Sequence, residues 1–233
     1  MAENDYENLV AFWNQSFQVK SEDKERLIKE IDPNEDYKDL APSKKQYDAL
    51  LELISKENVL DYGCGSGWAS VVMAKNGCKH IDAVDVASNS IEMMNCYLEA
   101  FGVSDKVTGI NIDSSWLKNQ KEAVYDGFFS SNVIDVIPLD MAMDIIHESS
   151  RVVKDDATVI YSLNYYVEPK VMEEKGCKTE GAQIYINDVL RLTALTDEEW
   201  MEVFKKYFKD IKLSYYSWPG EQVERRRLFI MKK

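Results

Sequence analysis

The apolar positions of this chain follow one period near the N-terminus and another from about position 57. In residues 3–19, Leu9, Phe12 or Trp13, and Phe17 recur at the spacing of an amphipathic helix. The charged stretch 21–30 is compatible with helix, and Asp32-Pro33-Asn34 breaks the chain after it. Pro42-Ser43 then opens a helix with Tyr47, Leu50, Leu51 and Ile54 on one face. Beyond this, short apolar runs alternate with amphipathic segments. Strands are expected over 59–61, 81–85, 107–112, 125–130 and 158–163, and helices over 66–75, 88–101 and 139–153. Asn76-Gly77 and Gly102 stop the first two of these helices, and Ser88 stands where the cap of the second is expected. Alternation of this kind predicts an α/β fold built on a doubly wound, mostly parallel sheet with helices on both faces.

The tail is different. Residues 165–195 show no strong helix, and Gln183-Ile184-Tyr185-Ile186 and Val189-Leu190-Arg191-Leu192 flank Asn187-Asp188 as the arms of a hairpin. Thr196 with Glu199 makes a capping box for a helix through 208. Residues 211–218 and 227–231 read as two strands joined through Pro219-Gly220, and so as antiparallel neighbours. The expected organisation is one domain over 1–233: a helical cap (1–41), a ligand-binding core (42–164), a hairpin insertion (165–195), and a closing helix with an antiparallel strand pair (196–233).

Composition narrows the class. A chain of 233 residues, 45% of them hydrophobic, can bury a substantial core. A formal net charge of −13 argues against a general nucleic-acid binder, with Arg225-Arg226-Arg227 as a local basic exception. No apolar run is long enough to span a membrane, and residues 1–5 are acidic with no apolar leader, so a cytoplasmic protein is expected. The four cysteines, Cys64, Cys78, Cys96 and Cys177, form no CxxC pair. They read as free thiols, and no metal site is expected.

The chemistry gathers around Asp61-Tyr62-Gly63-Cys64-Gly65-Ser66-Gly67. A strand ends here, glycines turn the chain, and a helix opens at Trp68. Its first N–H groups are free and its dipole is positive. Ligands of an open α/β sheet bind at the carboxyl ends of its strands, and this chain carries Asp61, Asp85 and Asp113 at three consecutive ends. Singly, each acid has a structural alternative: Asp61 can bond amides of its turn, Asp85 can cap a loop, and Asp113 can cap a helix near Ser114. Jointly, they suit a ligand with an ammonium group at Asp61, ribose hydroxyls at Asp85 and an adenine amino group at Asp113.

These residues resemble a class I S-adenosylmethionine-dependent methyltransferase of the small-molecule branch. The glycine loop is similar to that family's first motif. Ser130-Ser131-Asn132-Val133 follows the fourth strand, where the family lines the methionine end and the substrate. Glu148-Ser149-Ser150-Arg151-Val152-Val153-Lys154 resembles its helix-to-strand segment, although Asp155-Asp156-Ala157 replaces the usual Pro-Gly-Gly. The resemblance implies a Rossmann-like seven-stranded sheet whose last strand is antiparallel. It also implies S-adenosylmethionine as cofactor, with S-adenosylhomocysteine as product. The implied cofactor set is Asp61, Gly63, Cys64, Gly65, Gly67, Asp85, Val86, Asp113, Ser114 and Ser130. The rival reading, a nicotinamide-dependent oxidoreductase, needs a third glycine where Trp68 stands and normally has no acid at Asp61. A cofactor-binding protein of the same fold that has lost catalysis is a further alternative.

On the acceptor side, Trp13, Asn132, Tyr165, Tyr166, Tyr185 and Arg191 are the candidates. Core packing is an equal alternative for the aromatics, and an exposed strand position for Arg191. Val133-Ile134 after Asn132 departs from the Pro-Pro-aromatic run of DNA amino-methylating enzymes, so a small metabolite is the expected substrate. His147 falls on the outer face of its helix and His80 at the opposite end of the sheet, so neither is assigned to catalysis. The sequence assigns no base, no methyl-accepting atom and no oligomeric state.

Overall fold

The computed structural model describes residues 2–18 and 29–233. The expected charged helix over 21–30 therefore lies largely outside the described residues. Helix α1 (Ala2–Ser16) is followed by a short 3-10 turn (Asp36–Asp39) and helix α2 (Lys44–Leu50), which Ser43 caps by accepting the Gln46 N–H. Then come β1 (Val59–Tyr62), α3 (Trp68–Lys75), β2 (Ile81–Asp85), α4 (Ser88–Phe101), β3 (Val107–Asn111), β4 (Tyr125–Ser131), α5 (Leu139–Val152) and β5 (Val153–Leu163). The chain continues through α6 (Pro169–Glu174), β6 (Lys178–Glu180), β7 (Gln183–Ile186), β8 (Val189–Thr193), α7 (Asp197–Phe204), β9 (Lys209–Tyr216) and β10 (Arg226–Lys232).

The main sheet has seven strands in the order β3-β2-β1-β4-β5-β10-β9. Six run parallel, and β10 is antiparallel to both of its neighbours. Period-two alternation sends successive residues to opposite faces. Leu60, Phe128, Val159 and Phe229 join one core with α1, α5 and α7. Val59, Phe129, Ile160 and Leu228 join the other with α2, α3 and α4. Both faces are covered, which a parallel sheet requires. Among the described residues, no helix is long and apolar enough to cross a membrane.

Several local expectations shift. Ser88 is the first residue of α4 rather than its cap; Ala87 holds the cap position, and the Ser88 hydroxyl donates to Asn14 Oδ1 of α1. The strand expected from 158 starts at Val153, with Asp156 at φ 62° where the ladder shifts register against β4. The charged Asp155-Asp156 pair hides this edge of the strand from a hydrophobicity reading. The helix capped by Thr196 and Glu199 ends at Phe204, and the hairpin gains a third strand, β6, to form a small antiparallel sheet preceded by α6. That sheet is tied to the loop after β4: Thr193 donates its N–H to Asp135 O (2.7 Å) and its hydroxyl to Ile137 O (2.7 Å).

One buried cation organises the far end of the sheet. Arg227, 1% exposed, donates to Asn164 O (2.7 Å) and Leu195 O (2.6 Å) and lies 3.4 Å from Asp197. It joins β10 to the ends of β5 and of the small sheet. Removing one partner of a buried charged network leaves the others uncompensated. Arg227→Ala is expected to lower the unfolding free energy by about 3 kcal/mol, read from the midpoint of urea denaturation.

Candidate active site

The parallel register pairs Tyr62 with Val84, which sets the tips of β1 and β2 side by side. The chain leaves β1 through Gly63 and Cys64, whose N–H groups both donate to Val84 O at 2.8 and 3.0 Å. Gly65 (φ 54°) then turns the chain in a conformation that a side chain disfavours, and Gly67 (φ 77°) caps α3. Asp85 holds this loop from the neighbouring strand: one carboxylate oxygen accepts the Gly65 N–H (2.9 Å) and the other the Ala87 N–H (2.8 Å). Asp61 accepts the Ser70 hydroxyl (2.6 Å) from the first turn of α3.

Both carboxylates are buried, and among the described residues no ion pair reaches either. Burial therefore dominates. It pushes the Asp61 carboxyl up to about 7 against the partial compensation of Ser70, and it raises Asp85 despite its backbone donors. Two under-compensated carboxylates beside an open space favour a cationic ligand.

The space is a cavity of about 560 Å³ at the carboxyl ends of the strands. The loops after β1, β2 and β3 supply one wall through Asp61, Gly63, Cys64, Gly65, Asp85, Val86, Ile112, Ser114 and Leu117. The loop after β4 supplies Ser131, Asn132, Val133, Val136 and Ile137. Helix α5 adds Met141, Asp144, Ile145 and Glu148, a helical stripe beside the buried stripe of Ala142, Ile146, Ser149 and Val152. Helix α1 closes the cavity with Tyr6, Leu9, Val10 and Trp13, and Phe17 follows in the turn after it. A Cβ on Gly65 would stand 3.1 Å from the Phe17 ring.

Seven of the expected cofactor residues share this wall: Asp61, Gly63, Cys64, Gly65, Asp85, Val86 and Ser114. Three do not. Gly67 sits behind the loop, where a Cβ would meet Met94 Cγ at 2.3 Å. Asp113 lies two residues beyond β3, with its carboxylate taken by the N–H (2.8 Å) and hydroxyl (2.6 Å) of Ser115 in a turn, where no helix forms for it to cap. Ser130 is buried, and its hydroxyl has no protein partner among the described residues. Of the acceptor candidates, Trp13 and Asn132 (φ 57°) border the cavity. Tyr165 lies under the Arg225 guanidinium (3.6 Å), Tyr166 donates to Glu168, Tyr185 is buried in the small sheet, and Arg191 stacks on Phe12 (4.2 Å). None of these four lines the cavity. The ring of His147 packs edge-on against Tyr207, its side chain 57% exposed, and His80 pairs with Asp82.

Sequence reasoning missed Tyr6, Pro42 and Trp218 on the wall. Tyr6 had a readable signal, since positions 6, 9, 10, 13 and 17 form one helical stripe. Burial raises its hydroxyl, and so does the negative potential of Asp113 and Asp85. Trp218 had none, because it stands in a loop between two strands.

A sheet of this order, with an antiparallel strand inserted next to its edge and a glycine loop after the first strand, is the class I methyltransferase fold. Residues 59–156 match the family model described as a methyltransferase domain. Protein arginine N-methyltransferase 1 of Saccharomyces cerevisiae is 29% identical over 161 residues, 69% of this chain and 39% of that protein. Ubiquinone biosynthesis O-methyltransferase of Nitrosomonas europaea is 25% identical over 135 residues, 56% of this chain and 55% of that protein. The match thus spans about half or less of each curated relative. Among solved structures, Burkholderia thailandensis 1,6-didemethyltoxoflavin-N1-methyltransferase, determined with S-adenosylhomocysteine, superposes with a TM-score of 0.64 at 14% identity, over 85% of this chain and 81% of that one. The PH0226 protein of Pyrococcus horikoshii superposes at 0.61 and 15% identity, over 84% of this chain and 94% of that one. Residues 59–156 thus match a methyltransferase domain, and the chain shares the class I methyltransferase fold with these solved structures.

The raised Asp61 carboxyl fixes a pH dependence. Its ordinary value is 3.8 and its value in the folded chain about 7, so the folded state holds a proton that the unfolded state releases. That contribution to stability is fully present below pH 3.8 and is lost as pH rises through about 7. Asp61→Asn should therefore gain stability relative to the wild type as pH rises across this window, measured by urea denaturation at a series of pH values. A difference independent of pH would refute the assignment.

Proposed function

We propose that this protein transfers the methyl group of S-adenosylmethionine to a small-molecule acceptor by in-line displacement. The observation that carries this reading is the pair of buried carboxylates, without cationic partners, at adjacent strand tips on the wall of one cavity. When bound, the cofactor supplies an electrophilic methyl on a sulfonium whose departure as a neutral thioether needs no acid. The chain's own residues do the rest. Asp61 would hold the ammonium group, and Asp85, which keeps Gly65 in place, would accept from the ribose hydroxyls. Val86, Ile112, Ser114 and Leu117, on the same wall, would hold the adenine. Tyr6, close to Asp85 and Asp113, adds a hydroxyl at the ribose side.

Catalysis then rests on alignment and on exclusion of water by α1, Phe17 and the loop after β4. The methyl would pass to the acceptor lone pair as the carbon–sulfur electron pair returns to sulfur, and a proton lost by the acceptor would reach bulk solvent after transfer. A half-open cavity of about 560 Å³ has room for a cofactor and a small acceptor. The similarity to a protein arginine methyltransferase supports a second reading, a protein side chain as acceptor. The thiols of Cys64, Cys78, Cys96 and Cys177, none of them in a disulfide among the described residues, fit a reducing, cytoplasmic setting.

Isothermal titration should show S-adenosylhomocysteine binding, and Asp85→Asn should weaken it by about 2 kcal/mol, ~30-fold, through loss of a charge-assisted hydrogen bond. Binding of NAD without S-adenosylhomocysteine would overturn the reading. Transfer of labelled methyl to proteins but to no small molecule would favour the second one.

A further inference from the structure

Trp218 is 38% exposed, yet it borders the cavity and is held by more apparatus than a loop tryptophan needs. The Arg226 guanidinium lies 3.4 Å from the centre of its ring, a stacked contact. Arg226 is itself 7% exposed, and each of its directions is fixed. Glu221 accepts from Nε (2.9 Å) and from an Nη (2.8 Å), and Asn164 Oδ1 accepts from the other Nη (2.7 Å). Asn164 in turn donates its N–H (2.6 Å) and its amide (3.0 Å) to the buried Asp135. Asp135 immediately precedes Val136 and Ile137 of the cavity wall. Glu221 also accepts the Trp218 N–H (2.9 Å), which closes the loop on itself. A rigid polar chain thus runs from the cavity wall to the rim and ends on the face of one indole.

Building on the methyltransferase reading above, we propose that Trp218, backed by Arg226, is the platform on which the methyl acceptor stacks, and that the acceptor is a planar, uncharged aromatic or heteroaromatic molecule. Three observations select this class. A flat indole that shares one cavity with Pro42 and Trp13 rewards a flat guest through stacking and area burial. The guanidinium already draws on the π density of Trp218, which leaves the ring poorly suited to a second cation. Anions are opposed by Asp61 and Asp85, which no cation pairs among the described residues, and by a net charge of −13, while the wall cation Lys118 is taken by Asp144 at 2.7 Å. Trp218 touches the acceptor in this arrangement; Arg226 is a positioning residue that acts through it.

The test uses the full chain saturated with S-adenosylhomocysteine and four probes of similar size: 1-naphthylamine (planar, neutral), 1-decalol (saturated, neutral), N-methylquinolinium (planar cation) and 1-naphthoate (planar anion). Calorimetry should show 1-naphthylamine binding at least tenfold more tightly than each of the others. Trp218→Leu should weaken that binding at least tenfold and leave S-adenosylhomocysteine affinity within twofold, and Trp218→Phe should recover most of the loss. Arg226→Lys, which keeps the charge but loses the planar stack, should weaken 1-naphthylamine alone. Equal binding of the saturated or charged probes, no binding of 1-naphthylamine, or indifference to Trp218→Leu would overturn the proposal. Failure of S-adenosylhomocysteine itself to bind would instead overturn the methyltransferase reading.

Discussion

The site depends on a charge problem. Asp61 and Asp85 are placed where the sheet ends, in a water-poor environment, and the chain offers them hydroxyl and amide donors but no cation among the described residues. Neutral donors offset only part of the desolvation cost, so both acids are pushed toward the protonated form. A fold that needed only a tight turn after β1 would not require two such groups. The same hydrogen bonds that relieve Asp85 also fix Gly65, so loop shape and charge placement are one device. The parallel register of β1 with β2 delivers it, because that register sets the two strand tips adjacent.

Around this device the chain builds walls of different character. The loops after the first three strands carry the polar work. Helix α5 and the loop after β4 supply a mostly apolar side, with Asp144 and Glu148 neutralised by Lys118 and Arg151. Helix α1 presents Leu9 to the core and Tyr6, Val10 and Trp13 to the cavity. Its stability therefore comes from packing against the site it encloses, as expected of a short helix.

Much of this was legible in the sequence, and the reasons are local. The alternating apolar runs report the parallel strands because each is buried on both faces, and the Gly63, Gly65 and Gly67 spacing reports the turn because positive φ selects glycine. The capping box at Thr196 and Glu199 formed as read. What escaped was decided by tertiary partners. Ser88 lost its capping role to a contact with Asn14, some seventy positions away. Tyr165, Tyr185 and Arg191 found partners in Arg225, the small sheet and Phe12, and no spacing along the chain encodes those meetings. Trp218 became part of the wall through Arg226 and Glu221, residues that composition alone marks only as surface charge.

Helix α1 touches both halves of the molecule. Asn14 accepts from Ser88 and Asn89 at the start of α4, Phe17 covers Gly65, and Phe12 carries the Arg191 guanidinium from the small sheet. One helix thus borders both the glycine-loop side of the cavity and the side proposed for the acceptor. Whatever steadies it from one side lowers the ordering cost of binding on the other, and such coupling is reciprocal by thermodynamic necessity. On the proposed reading, donor and acceptor are linked as cooperative ligands of a single helix, over and above the contact that methyl transfer itself requires.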